Sequence, residues 1–175
     1  MKDVIKAVTV LAIGGTIYSV SQSDIAKNFS ADTGMSQEAA EQYIENIDES
    51  DLASFDEIGS NFISDGEDIL ELSYELDCVN YEYEWESPTM TCLQAKSQLE
   101  RIGNSEIVLG KSYRQLDTEN ANENDIRATI NNIDKLNADL NLEIVSVVLD
   151  PTLITDTKNT NSYNKALLQA ALDSK

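Results

Sequence analysis

The sequence contains no histidine, and this absence removes several kinds of catalytic site. The Ser-His-Asp triad and the Cys-His pair both need an imidazole as the general base. The glycine-rich phosphate-binding motifs GxxxxGK[ST] and GxGxxG are also missing. Carboxylates are so abundant that no particular pair stands out as an acid and a base. We therefore predict a protein that is not an enzyme, with no catalytic residues and no cofactor.

Cysteine is scarce, with only Cys78 and Cys92 in the whole chain. Two thiolates without histidine cannot complete a tetrahedral zinc shell, so we predict no metal site. Their spacing is also far from that of a redox CxxC motif. In an oxidising compartment such a pair usually forms a disulfide, which at this loop length stabilises a protein by about 3 kcal/mol. We predict a disulfide between Cys78 and Cys92.

Basic residues are few, with 12 Lys and Arg against 32 Asp and Glu, and the net charge is −20. Such a surface repels the phosphates of nucleic acids and of anionic lipids, so we predict no nucleic-acid binding. A basic protein is the partner that this charge would attract. The alternative interpretation is that the acidic residues only keep the chain soluble.

The apolar run Ala7–Val20 follows Lys2 and Lys6 and is too short for a confident transmembrane helix. It is typical of a signal peptide, here residues 1–21 with cleavage after Ser21, followed by one domain over 22–175. The protein would then be exported, to the periplasm or the extracellular space. An uncleaved anchor from Val4 to Val20 is one alternative, which would hold the protein on a membrane, facing away from the cytoplasm. A buried strand–turn–strand is the other.

Apolar residues recur every three to four positions in the segments on both sides of the two cysteines, which predicts two helices joined as a hairpin. Gly66 and Gly103 are expected to interrupt them, and Ser87 to be the N-cap of the second helix. Ser36 is the expected N-cap of a short early helix. Asn124 or Asp125 is expected to cap a later helix, and Ser162 a final one after an exposed connection over 152–161.

The resulting fold prediction is a mainly α, up-and-down helical domain of about four to five helices with a disulfide-clamped helical hairpin. The sequence leaves residues 81–86 and 144–149 open between strand and helix, because aromatic and β-branched residues concentrate there and make a minor β component possible.

One stripe has a heptad-like spacing, with steps of four and three residues. It contains the residues Ile126, Ile130, Ile133, Asn137 and Leu140. The stripe is either the buried face of an ordinary bundle helix or a surface through which copies self-associate into an oligomer, with the asparagine setting the register.

The loop between the cysteines contains YEYEWE. In an extended chain the alternation puts three aromatic rings on one side, Tyr81, Tyr83 and Trp85, and three acids on the other, Glu82, Glu84 and Glu86. This pattern favours a recognition site for a basic partner, with the rings as contact anchors. In the alternative, the rings fold back onto the helix ends.

These observations combine into one functional hypothesis, an exported acidic helical protein that acts as a non-catalytic binding module for a basic protein, of the inhibitor or neutraliser type. The alternative is a membrane-anchored structural or assembly component of the cell envelope. It would contact the membrane only through its N-terminal segment and self-associate through the heptad-like helix.

Overall fold

A computed structural model describes residues 8–47, 54–79 and 90–174, and over these ranges the chain forms seven helices and one two-stranded sheet. The elements are β1 (Val8–Ile13), β2 (Thr16–Ser21), α1 (Gln22–Thr33), α2 (Gln37–Glu45), α3 (Phe55–Glu75), α4 (Cys92–Leu116), α5 (Glu123–Asp139), α6 (Glu143–Val148) and α7 (Pro151–Asp173). The mainly α prediction is confirmed. Two helices, α1 and α6, come in addition to the predicted ones. No helix in the described ranges has the length and apolar character needed to span a membrane.

The N-terminal segment folds as an antiparallel hairpin, the strand–turn–strand of the third interpretation, with Leu11 opposite Tyr18. Gly14 and Gly15 make its turn at φ angles of +57° and +71°, which glycine adopts without strain. Four side chains of its inner face are buried in the core: Leu11, Ile13, Tyr18 and Val20. The side chain of Ser21 caps α1 by accepting a hydrogen bond from the backbone N–H of Asp24. Cleavage and anchoring of this segment stay predictions.

The helical hairpin of α3 and α4 has the most extensive contact between any two elements. Glycines lie where the two helices meet. A Cβ atom added to Gly66 would lie 2.6 Å from the carbonyl oxygen of Gly103, and one added to Gly59 would lie 2.5 Å from that of Gly110. Both helices are continuous, so the predicted interruptions at Gly66 and Gly103 are wrong. The glycines weaken each helix alone, but they allow the two backbones to pack directly together.

Several predicted helix starts are displaced in the structure. The second helix of the hairpin, α4, begins at Cys92 with Thr91 as its N-cap, so Ser87 does not cap it. Thr91 and Gln94 form a reciprocal capping box, which fixes this start. The cap of α5 is Asn122, two residues before the predicted Asn124. The prediction that Ser36 caps a helix is confirmed, because its side chain accepts a hydrogen bond from Ala39 N–H.

The last helix starts at Pro151 with Asp150 as its N-cap, so the exposed connection predicted over 152–161 is helical instead. Threonine hydroxyls in this stretch donate to carbonyls one turn earlier, and buried Asn161 ties the helix to α5. Residues 143–148 are also helical, which decides between the strand and the helix that the sequence left open for 144–149. The backbone N–H of Ile144 donates to Gln98 Oε1 at 3.0 Å and holds α6 against α4.

The heptad-like stripe forms the inner face of α5. Ile126, Ile130, Ile133 and Leu140 are all in the core, where α5 packs against α4 and α7. Asn137 accepts a hydrogen bond from Asn161 Nδ2 at 2.9 Å and so aligns α5 with α7 within one chain. The chain's own helices cover these side chains, as expected for the buried face of an ordinary bundle helix. The four apolar residues of the stripe are therefore not exposed to a second copy.

Candidate functional site

The two cysteines form the predicted disulfide, with their Cα atoms 5.5 Å apart. Cys78 follows the end of α3 and Cys92 is the first residue of α4, so the bond clamps the hairpin where its two helices are joined. A disulfide of this kind indicates a non-reducing compartment. The predicted recognition residues lie outside the described residues, in the loop that this bond closes: Tyr81, Glu82, Tyr83, Glu84, Trp85 and Glu86.

Large apolar side chains are exposed around the disulfide. Leu72 and Tyr74 lie in the last turn or so of α3, Val79 follows Cys78, and Leu93 lies in the first turn of α4. The Val79 side chain is 87% exposed. Leu93 fits the apolar periodicity of the second helix but is exposed, because its neighbours Cys92 and Ala95 occupy the buried face of α4.

A second group of exposed apolar side chains lies at the corner between α6 and α7: Val147, Val148, Leu149 and Leu153. The hydrogen bond from Ile144 to Gln98 holds α6 beside the second turn of α4, about 9 Å along that helix from Cys92. Both groups therefore lie at the same end of the molecule. We call the eight residues of these two groups the disulfide end.

The disulfide end contains most of the exposed large hydrophobic side chains of the described ranges. Of the eleven large hydrophobic side chains that are exposed in the described ranges, eight belong to it. Single exposed hydrophobic residues are ordinary on a soluble protein, whereas a concentration of them marks an interaction site. The sequence alone did not reveal this, because a run such as SVVL has the composition of a core segment.

The helix that leads to the disulfide end is strongly acidic. α3 contains seven acidic residues and no basic one. Only Asp56, at the opposite end of α3, has an ion pair in the described ranges, with Arg114 Nε at 2.9 Å. Toward the disulfide end the carboxylates of Glu67, Asp68, Glu71 and Glu75 have no ion pair with any described residue. No described basic side chain therefore offsets their negative charges directly.

Two further acids lie along the contact between α3 and α4. Glu106 is 8% exposed, and its Oε2 atom accepts no hydrogen bond from a described residue. Burial, with the charge of Asp65 adding to it, raises the pKa of Glu106 to about 7. The pKa of Asp65 is raised as well, first by burial and then by Asp68. Burial and a neighbouring carboxylate together raise both pKa values.

We expect the Glu106→Gln variant to lose much of the pH dependence of stability between pH 5 and 8. The folded-state pKa of Glu106 lies above the unfolded value, so the folded state binds more protons in this window. The contribution of this group to stability is fully present below about pH 4.5 and is lost as pH rises through about 7, by up to about 3 kcal/mol.

Urea unfolding at pH 5 and pH 8 measures this effect. The variant should be more stable than the natural chain at pH 8 and nearly equal to it at pH 5. Glu67→Gln is the control, because it removes one acid from the exposed side of α3. An unchanged pH dependence in the Glu106 variant would show that this carboxyl is not the titrating group.

The other buried charges serve the packing of helices. Asp139 is fully buried, with Arg101 Nη2 2.6 Å from its Oδ1 and the Ser105 hydroxyl donating to its Oδ2. Lys165 on α7 donates to Asp134 and to Asp32, joining α5 and α1. Burial lowers the pKa of Lys165, but these two hydrogen bonds outweigh it and raise the pKa. Each of these charges has an opposite charge within reach, as stable burial requires.

No family model matches this chain, and its comparisons with curated proteins and with solved structures give no match. A functional assignment therefore has to come from the geometry. Within the described ranges no three His, Cys, Asp or Glu side chains are placed to hold a metal ion. A surface cavity of about 550 Å³ lies at the end of α4 away from the disulfide, and two of its lining charges, Arg114 and Asp56, form an ion pair.

Proposed function

We propose that this protein is a non-catalytic binding module that captures a basic protein at its disulfide end, outside the cytoplasm. The observation that supports the proposal is the coincidence of eight exposed apolar side chains with the unpaired acids of α3. Apolar contact at the centre of an interface provides most of the affinity, and an acidic surround selects a cationic partner and speeds the encounter.

The loop between the cysteines supplies the anchors in this proposal. Tyr81, Tyr83 and Trp85 contact the partner, and Glu82, Glu84 and Glu86 add to the acidic surround. The disulfide holds both ends of the loop next to the exposed Val79 and Leu93. A loop held in this way loses less conformational freedom on binding than an open one.

The support beneath the site is stiff. Direct backbone packing at the glycines of α3 and α4 and the disulfide at their joined end restrict how the two helices can move. Because little ordering is then needed on binding, more of the contact energy appears as affinity. An inhibitor or neutraliser of a basic protein would benefit from such a preorganised surface.

The test is affinity capture from native extract on the immobilised full-length chain, followed by identification of the captured protein by mass. Capture should yield a protein of net positive charge, and raising the salt from about 50 mM to 500 mM should weaken it, since salt screens the attraction. Val79→Ser and Leu93→Ser should each weaken binding of the purified partner about tenfold or more.

Val108→Ser is the matched control, because Val108 is an exposed valine of α4 that lies outside the disulfide end. Serine is chosen in all three variants because it removes apolar contact without altering the charge. A captured protein of net negative charge, or an equal loss of binding in the Val108 variant, would contradict the proposal.

A further inference from the structure

The sheet has two strands, so both have an outer edge, and the edge of β1 is the less covered one because β2 also contacts α1 and α7. β1 is bonded to β2 along one side in a regular register without a bulge. In the described ranges no hydrogen bond reaches its other side. Natural proteins usually protect such an edge with a lysine, a proline or a bulge, because its free N–H and C=O groups are a template for another strand. β1 has none of the three.

The hairpin is also the uncharged part of a highly charged chain. Residues 8–21 include no acidic or basic side chain, whereas the whole chain carries a net charge of −20. On the outer face of the hairpin Val10, Ala12 and Ile17 are exposed, and the Ile17 side chain is 71% exposed. Two copies that meet through their acidic surfaces repel each other. At the β1 edge the hairpins of the two copies bring no like charges together, so this repulsion is weaker there.

We propose that two copies of this chain join through antiparallel pairing of their β1 edges, forming a four-stranded sheet across a twofold axis. A strand paired antiparallel with its own copy makes a self-complementary contact that closes at two subunits. Directly opposite residues share a face of the sheet. If the twofold axis passes at Val10, the Val10 residues of the two copies lie opposite each other, and Leu11 and Ile13 stay on the buried face.

A second copy fits this edge better than the proposed basic partner does. The acids that would attract a cationic protein lie on α3, and the hairpin offers none. The β1 edge is also more accessible to a second copy than the α5 stripe is, since Val10 is 64% exposed and the isoleucines of the stripe are buried.

The pairing leaves the disulfide end accessible. The turn of the hairpin packs against the Ala121 backbone, in the connection from α4 to α5, and this connection lies at the end of α4 away from Cys92. A dimer formed at β1 would therefore present two disulfide ends. Two linked sites raise the apparent affinity for a partner that carries two or more copies of the recognised surface, although no new contact is formed.

Sedimentation equilibrium of the full-length chain measures the pairing. We expect a species of twice the chain mass, and self-association that strengthens as salt rises from about 50 mM to 500 mM, because screening reduces the repulsion between copies. A monomer at every salt and protein concentration would overturn the proposal.

Two lysine variants distinguish pairing at the edge from stacking of the outer faces. Val10→Lys sets like charges opposite each other across the axis and should weaken self-association at least tenfold. Ile17→Lys makes the same change of charge on the same face of β2, away from the edge, and should leave self-association within about twofold. Equal weakening by both variants would overturn the edge-pairing proposal in favour of face stacking.

Hydrogen exchange of the natural chain gives a readout that needs no variant. Amide protons on the outer side of β1 should become more protected as protein concentration rises, because pairing gives them acceptors. Exchange in β1 that does not change with concentration, while the mass doubles, would place the contact elsewhere and overturn the proposal.

Discussion

Replacing Gly110 with alanine is expected to destabilise the protein by about 2 kcal/mol, although the same change at an exposed helical site would stabilise it by about 1 kcal/mol. The added Cβ atom would lie 2.5 Å from the carbonyl oxygen of Gly59 and 2.8 Å from Ile63 Cγ1. The nearest obstacle is a backbone atom, which cannot rotate away, so α3 and α4 would have to separate. Urea unfolding followed by circular dichroism measures the change.

The double variant Gly59→Ala, Gly110→Ala tests this mechanism further. Each Cβ atom would strike the backbone of the other residue, so both changes require the same separation of the helices. We expect the pair to cost less than the sum of the two single changes. Ser60→Ala is the control, since Ser60 is exposed on α3, next to Gly59 in the chain. If the Gly110 variant is as stable as the natural chain, the helices are not held by direct backbone contact.

Removal of residues 1–21 is expected to have the second large effect, the loss of most of the folding stability. The shortened chain lacks four buried side chains, Leu11, Ile13, Tyr18 and Val20, and the serine that caps α1. Complete burial of one such side chain contributes about 1.5–3 kcal/mol, and a small domain has only about 5–15 kcal/mol in total. Thermal unfolding of the shortened and full-length chains measures the loss.

A chain that starts at residue 8 is the matched control, because it keeps both described strands and their four buried side chains, and we expect it to melt well above the chain that starts at Gln22. Equal melting of the chain that starts at Gln22 would show that the hairpin is dispensable, as a cleaved signal peptide is. The intact mass of the protein from native cells, with and without reduction, shows which form occurs there and whether the disulfide is closed.

Periodicity predicted the helical hairpin and the stripe of α5 well, because those helices bury one continuous face. It failed for α7, whose first half is rich in threonine and asparagine and has no apolar stripe. There the cap at Asp150 and the proline after it start the helix, and contacts with α5 such as the one from Asn161 maintain it. Such long-range contacts cannot be recognised from local sequence.

The glycines show why a weak local propensity can mislead. Gly66 and Gly103 reduce the helix propensity of their segments, and a single segment gives no sign that they face each other. Their spacing to Gly59 and Gly110 is seven residues in both helices, which was the available signal. No comparable pattern in the sequence indicates the exposed apolar residues of the disulfide end. Their exposure depends on the side of α4 against which the short α6 packs.

The position of the N-terminal hairpin has a consequence for folding during synthesis. α3 and α4 are neighbours in the chain, so their contacts close only a short loop and can form early. β2 and α1 instead pack against α7, which is synthesised after all the other described elements. The two strands therefore wait for α7 before they can pack, with an uncharged β1 edge unprotected in the meantime. A holding chaperone or fast elongation would raise the yield of folded protein more than any change in the hairpin of α3 and α4.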